Sequence, residues 1–192
     1  MSYNLIIKEL NLNVKIDKSW ALFLDRDGVI NKKINNDYVK RQSEFYFLDG
    51  SLDAIAFLSN VFGKIFVVTN QRGVGKGVMS MTDLNLIHNK MLEEVENYNG
   101  RINKIYSCIE IHDSALCRKP NVGMGLQAKK DFPAIEFNRS IMIGDSISDI
   151  LFGNSLGMIS ILINKNKLTN ASVGQFYQTE SLLNFTKTIS EF

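Results

Sequence analysis

Asp25 and Asp27 stand one residue apart at the end of the apolar run Ala21-Leu22-Phe23-Leu24, and Gly28 follows them. Residues i and i+2 of a strand face the same side, so both carboxylates enter one pocket. Two like charges at that spacing repel each other unless a cation lies beside them or one carries a proton. A carboxylate with an ordinary pKa near ~3.9 is ionised at neutral pH and can attack phosphorus to give an aspartyl-phosphate. Asp27 can hold a proton for the leaving oxygen and then activate water as general base, while Gly28 lets the backbone turn sharply. Both reliefs are therefore expected: a cation beside Asp25 and a proton on Asp27.

Three further points along the chain carry matching chemistry. Thr69 and Asn70 end a second apolar run, where a hydroxyl and neighbouring backbone N–H groups can grip a phosphoryl oxygen. Lys119 supplies a point positive charge for the nucleophile and the transferring group. Asp145, with Asp149 four residues later, adds carboxylate oxygen. A hard divalent ion such as Mg²⁺ takes oxygen ligands together with substrate phosphate, and it would relieve the repulsion at Asp25. Singly, each point is an ordinary turn or loop feature. Four in this order, each after an apolar strand, make a site.

The elements that must position these groups alternate. Strands are predicted at 20–25, 64–70, 102–111, 140–146 and 158–164. Helices are predicted at 51–62 with Ser51 as N-cap, from 80–83 to about 98 behind a capping box, at 122–132, at 147–156 and at 181–192. The alternation implies an α/β fold, a three-layer Rossmann-like parallel sheet with helices on both faces. In such folds ligands bind beyond the carboxyl ends of the strands, where all four polar points converge. Residues 1–192 read as a single domain, with 1–19 an extension or an extra strand. Trp20 is assigned to the core, and His88 to a surface or packing position on its helix.

Composition bounds the partners. The chain has 192 residues, 22% of them charged, and a net charge of +2, too small to indicate a polyanion partner. No apolar stretch approaches the ~20 residues of a membrane-spanning helix, and residues 1–20 lack a signal-peptide pattern. Two cysteines, Cys108 and Cys117, are too few for a disulfide framework, so a reducing cytoplasm is the expected compartment. Nothing in the sequence specifies an oligomeric state. The glycine-rich "RGVGKG" (72–77) lacks the strand–GxxxxGK[ST]–helix pattern of a nucleotide loop, though Arg72 and Lys76 could reach a second phosphate.

The motifs "DRDG" (25–28), "VVTNQ" (67–71), "RKP" (118–120) and "GDSISD" (144–149) resemble those of the haloacid dehalogenase superfamily of phosphohydrolases, over roughly residues 20 to 165. The resemblance implies Asp25 as nucleophile, Asp27 as acid/base, and Thr69 and Lys119 as phosphoryl stabilisers. It also implies Mg²⁺ held by Asp25, the Asp27 backbone carbonyl and Asp145, with Asp149 in support. "DRDGVIN", "DYV" (37–39), "TNQRGVGKG" (69–77) and "CRKPNVGM" (117–124) are similar to the histidinol-phosphatase-like group, and within it to the heptose bisphosphate 7-phosphatases. By that resemblance Tyr38, Asn70, Gln71, Arg72, Arg118 and Ser146 line the substrate site. The position of Arg72 is commonly serine there, which points to altered specificity.

Nearby members often carry a zinc loop, Cys-x-His then Cys-x-Cys, before Arg-Lys-Pro. Here Cys108 and Cys117 remain, Glu110 and Ala115 replace the other two, and His112 is off register. Structural zinc takes four closed ligands, so none is expected. Only 42 residues separate Asp27 from Thr69 and 50 separate Thr69 from Lys119, too few for a cap domain beside the expected helices. The site should be capless, covered by loops such as 31–46 and 71–80.

The expected activity is Mg²⁺-dependent hydrolysis of a small phosphorylated metabolite, foremost a heptose 1,7-bisphosphate. Histidinol phosphate or another sugar phosphate is the alternative. A nucleic-acid 3′-end phosphatase would call for a basic stripe with stacking aromatics, which is absent. A non-catalytic phosphate-binding module is disfavoured by four intact motifs.

Overall fold

The N-terminal segment forms an antiparallel pair, β1 (Leu5–Ile7) and β2 (Leu12–Ile16), rather than a lead-in without partners. The structure, a computed structural model, describes residues 5–7, 12–166 and 174–191. Next come β3 (Ala21–Leu24), α1 (Ser51–Val61), β4 (Lys64–Asn70), the single turn α2 (Arg72–Gly75) and α3 (Met81–Asn97). They are followed by β5 (Lys104–Cys108), α4 (Gly123–Asp131), β6 (Ser140–Gly144), α5 (Ile147–Leu156) and β7 (Ile159–Ile163). The chain ends with β8 (Tyr177–Thr179), α6 (Leu182–Thr188) and β9 (Ile189–Glu191).

Six strands form one parallel sheet in the order β5-β4-β3-β6-β7-β8. Its strands are apolar on both faces because both are covered. Leu22, Leu24, Ile65, Val67, Ile141 and Ile143 pack with α1, α3 and α6, while Phe23, Phe66, Val68 and Met142 pack with α4 and α5. The expected three-layer α/β architecture is therefore the observed one. Between β3 and β4 lie only a loop with one 3-10 turn (Gln42–Glu44) and α1, and between β4 and β5 only α2 and α3, so no cap domain interrupts the described chain.

The chain runs from β3 outward through β4 to β5, then returns to β6 on the other side of β3 and continues to β7 and β8. The crevice between β3 and β6 is thus the switch point where ligands bind in such sheets. Leu24 pairs with Val67 on one side and Ile143 on the other, and the Asp25 N–H donates to the Ile143 carbonyl at 2.9 Å. Asp25 accordingly leaves the sheet at its centre.

Several local expectations are corrected. Gly50, at φ +73°, caps α1, and Ser51 is its buried first residue. The anticipated C-terminal helix stops at Thr188, and Ile189–Glu191 pair with β1 to close a small sheet β2-β1-β9. Neither α2 nor β8 was expected. Cys108 and Cys117 are bonded to each other as a disulfide, a local link between the end of β5 and the loop that follows it. A nine-residue separation brings their Cα atoms to 5.4 Å, so pairing needs no framework of cysteines.

Candidate active site

Lys119 organises the centre. Its ammonium, buried, lies 2.9 Å from Asp25 Oδ1 and 2.5 Å from Asp149 Oδ1, and donates to the Val68 carbonyl at 2.7 Å. Two carboxylates and a carbonyl thus enclose the charge. Asp149 is placed by the start of α5: Ser146 caps the helix, donating to Asp149 Oδ2 from its hydroxyl at 2.6 Å and from its backbone at 3.0 Å. Asp149 Oδ2 is thereby used, while Oδ1 faces the Lys119 charge without a hydrogen-bond partner. Gly144 makes room, since a Cβ there would lie 2.1 Å from Asp149 Cβ. Burial pushes the Asp25 carboxyl up to about 7 against the pull of Lys119, with Asp149 and Asp27 adding to the rise.

Asp27 has a different environment. Arg26, a fully buried side chain, grips it with one nitrogen at 3.0 and 2.9 Å, Asn31 donates at 2.8 Å and Gln71 at 2.9 Å. Burial alone would raise its pKa, but the Arg26 charge and the Asn31, Arg26 and Gln71 hydrogen bonds more than offset that and hold it below the ordinary carboxylate range. The expected proton on Asp27 is therefore not favoured here, because every contact its oxygens make comes from an N–H donor. His88, buried rather than on the surface, meets Arg26 through Nε2 at 3.2 Å. Burial first and the Arg26 charge second push its pKa down to about 3, so it is neutral.

The third carboxylate, Asp145, shares a cluster with Asp25 and Asp149 in which one ligand oxygen from each lies within 4.8 Å of the others. Asp145 Oδ1 is buried without a hydrogen-bond partner, and Oδ2 pairs with Lys33 Nζ at 2.8 Å. An acceptor left open beside Asp25 fits a hard cation, as does an all-oxygen donor set. Gly28, at φ +88°, admits Asp145: a Cβ there would stand 2.2 Å from Asp145 Oδ2. Asp25, Asp145 and Asp149 thus bring three carboxylates together, Asp149 being the one also paired with Lys119 and fixed by the helix cap.

A cavity of about 280 Å³ opens over these groups, lined among others by Asp25, Asp27, Lys33, Tyr38, Thr69, Asn70, Lys119, Asp145 and Ser146. The substrate-side residues fall into two sets. Tyr38 and Ser146 border the cavity, and Lys76 stands over the Tyr38 ring, 5.5 Å from its centroid. Asn70 borders it too, but its amide is occupied: it accepts from Lys119 N at 3.0 Å and donates to Lys119 O at 3.1 Å. Gln71 is buried and bridges Asp27 to Thr69 Oγ1, donating to the latter at 2.8 Å. Arg72 and Arg118 lie outside the cavity lining and both pair with Asp113. The sequence reading missed Arg26, Asn31, Lys33 and Asp113. Arg26 lay inside the first motif, and Asn31 four residues beyond Asp27; neither Lys33 nor Asp113 carried a signal apart from loop polarity.

Known proteins match this arrangement. A heptose-1,7-bisphosphate 7-phosphatase of Campylobacter jejuni, of the D-glycero-alpha-D-manno type, is 37% identical over 172 residues, covering 88% of this chain and 97% of the relative. The chain belongs to the haloacid dehalogenase superfamily of phosphatases. A HAD-hydrolase-like family model matches residues 116–184, which hold Arg118, Lys119, Asp145 and Asp149. A beta-type heptose-1,7-bisphosphate 7-phosphatase of Neisseria meningitidis is 35% identical to this phosphatase, covering 80% of it and 82% of the relative. A crystal structure of D,D-heptose 1,7-bisphosphate phosphatase from B. bronchiseptica, complexed with magnesium and phosphate, superposes with a TM-score of 0.77 at 27% identity. It covers 88% of this phosphatase and 96% of its own chain. Among the described residues no helix is long and apolar enough to cross a membrane.

Proposed function

We propose that this phosphatase removes the 7-phosphate of a heptose 1,7-bisphosphate through an aspartyl-phosphate on Asp25, in a single cytoplasmic domain, with Mg²⁺ as cofactor and no nucleic-acid partner. The observation that carries the mechanism is Lys119 held between Asp25 and Asp149, beside an Asp145 oxygen that has no partner. The names of the relatives carry the substrate.

Asp25 and Asp145, with the Asp27 carbonyl, would hold the ion, which when bound supplies positive charge to the nucleophile and the phosphoryl oxygens. Asp25 attacks phosphorus through a carboxylate oxygen, and the P–O bond to the sugar breaks. Lys119 and the Thr69 hydroxyl take up charge on the equatorial oxygens. Asp27 delivers a proton to the leaving oxygen, then removes one from the water that attacks the aspartyl-phosphate. Asp27 is ionised before substrate enters, and an arriving phosphate raises its proton affinity by like-charge repulsion.

The test is phosphate release with Mg²⁺ from heptose 1,7-bisphosphate, histidinol phosphate, hexose bisphosphates and a 3′-phosphorylated oligonucleotide, with Asp25→Asn as control. Preference for the heptose, abolished in the variant, is expected. Preference for another ester would refute the substrate, and release that persists in Asp25→Asn would refute the mechanism.

A further inference from the structure

The two oxygens of Asp145 have different surroundings. Oδ2 receives the Lys33 ammonium at 2.8 Å, from a residue 112 positions away in sequence, while Oδ1 is buried with no hydrogen-bond partner. Gly28 packs against the carboxylate on its Oδ2 side, since a Cβ there would stand 2.2 Å from Oδ2 and 2.6 Å from Cγ. One oxygen is thus engaged by a lysine beside a close backbone turn. The other is left open in the cluster with Asp25 and Asp149.

Lys33 reaches Asp145 from a fixed base. The Asn31 N–H donates to the Arg26 carbonyl at 3.1 Å, and the Asn31 carbonyl accepts from the Gly28 N–H at 2.8 Å. The buried Asn31 side chain donates to Asp27 Oδ1 at 2.8 Å and to the Lys32 carbonyl at 3.0 Å. The Lys32 N–H in turn donates to the Tyr46 carbonyl at 2.8 Å. The two residues before Lys33 are therefore held both to the turn after Asp25 and to the far end of the covering loop. The Lys33 side chain itself is 53% exposed, and an ion pair that exposed stabilises a fold by about 1 kcal/mol or less. Its consequence lies in which oxygen it covers.

We propose that Lys33 is a positioning residue that restricts Asp145 to one free oxygen and thereby makes the cation site select Mg²⁺ over Ca²⁺. The proposal rests on the cation site of the phosphatase reading and deepens it by naming what decides between ions. Mg²⁺ demands near-ideal octahedral geometry and is served by single carboxylate oxygens with water and phosphate. Ca²⁺ takes about six to eight oxygens in looser geometry and accepts a carboxylate through both of its oxygens. With Lys33 on Oδ2, Asp145 gives what Mg²⁺ needs and withholds the second oxygen that would favour Ca²⁺. Without Lys33 both oxygens are available, and the added ligand favours the larger ion. The Lys33 charge by itself repels the two divalent ions alike. Selectivity therefore separates the hydrogen bond from the charge.

Calorimetric titration of Mg²⁺ and, separately, of Ca²⁺ into the full chain without substrate tests this. Lys33→Met keeps the reach of the side chain and removes the donor, whereas Lys33→Arg keeps both donor and charge. Outer partners of metal ligands typically change affinity by about 10–100-fold. The Ca²⁺-to-Mg²⁺ affinity ratio should therefore rise about tenfold in Lys33→Met, the lower end of that range suiting a half-exposed residue. Lys33→Arg should keep the wild-type ratio. Both ions tightened by the same factor, an unchanged ratio, or an equal rise in Lys33→Arg would overturn the role of Lys33 and leave the cation site standing. Failure of either ion to bind the wild-type chain would overturn that role and the cation site together. Phosphate release from the wild-type chain reads the phosphatase activity separately, so a shifted ratio in a chain that never hydrolyses an ester would keep the role of Lys33 and remove the phosphatase reading.

Discussion

Gly28→Ala isolates the geometry that joins the turn after Asp25 to Asp145. Two penalties act at once. At φ +88° an alanine is strained by about 1–2 kcal/mol, and its Cβ would sit 2.2 Å from Asp145 Oδ2, a separation that real atoms do not tolerate. For a chain of this length each kcal/mol lowers the melting temperature by about 2–4 °C, so the strain alone predicts a fall of about 2–8 °C. The contact adds a second effect, because Asp145 must swing out of the cluster it shares with Asp25 and Asp149. Misplacing a metal-site group typically costs about 10–100-fold in affinity. Gly157→Ala is the matched control, since Gly157 has φ +76° with nothing within 4 Å of its added Cβ. Thermal melts with and without Mg²⁺, and calorimetric Mg²⁺ titration, read both effects. Gly157→Ala should lose melting temperature yet keep the Mg²⁺ response, while Gly28→Ala should lose both. A Gly28→Ala protein that binds Mg²⁺ like the wild type would refute the assignment of Asp145 to the cation site.

Lys119→Met should cost about 3–5 kcal/mol, because it leaves Asp25 and Asp149 buried without their counter-charge. Urea unfolding measures this, and a loss below about 1 kcal/mol would show that the buried ion cluster does not depend on Lys119. His88 is kept neutral down to about 3, whereas an unfolded chain takes up a proton near ~6.5. Unfolding then binds a proton as pH falls through that window, so stability drops below about pH 6.5 by up to ~1.4 kcal/mol per unit. His88→Gln should flatten the slope between pH 7 and 5 in urea midpoints, and an unchanged slope would contradict it.

The strongest signals in the sequence were those in which one residue type serves both fold and chemistry. An apolar strand that ends in a polar residue announces its own end, so Asp25, Thr69 and Asp145 could be placed at the carboxyl edge from periodicity alone. The capping box at Ser80 and Asp83 likewise needs only local chemistry. What escaped was long-range. β9 exists because Ile189–Glu191 find β1 at the far end of the chain, and no local pattern distinguishes that from another helical turn. His88 was open to a surface or a packing position on its helix, and only the contact with Arg26, 62 residues away, shows it to be a packing one. Gln71 was expected to touch substrate, but its amide turns inward because Thr69 and Asp27 both present acceptors to it.

That inward turn links two groups to which the proposed mechanism gives different tasks. Gln71 donates through the same nitrogen to the Thr69 hydroxyl and to Asp27. While Thr69 accepts from Gln71, its own proton stays free to donate to a phosphoryl oxygen. The same amide, with Arg26 and Asn31, fixes Asp27 and makes it a reluctant proton holder. A reluctant holder is a strong acid once protonated, which in the proposed mechanism suits delivery of a proton to an alkoxide leaving group. The cost is that the proton must be acquired only when substrate charge is present. Full burial of Arg26 follows from this demand: a solvated arginine would be screened and would neither orient Asp27 nor hold down its proton affinity. His88, neutral and facing Arg26, adds no positive charge of its own beside Asp27.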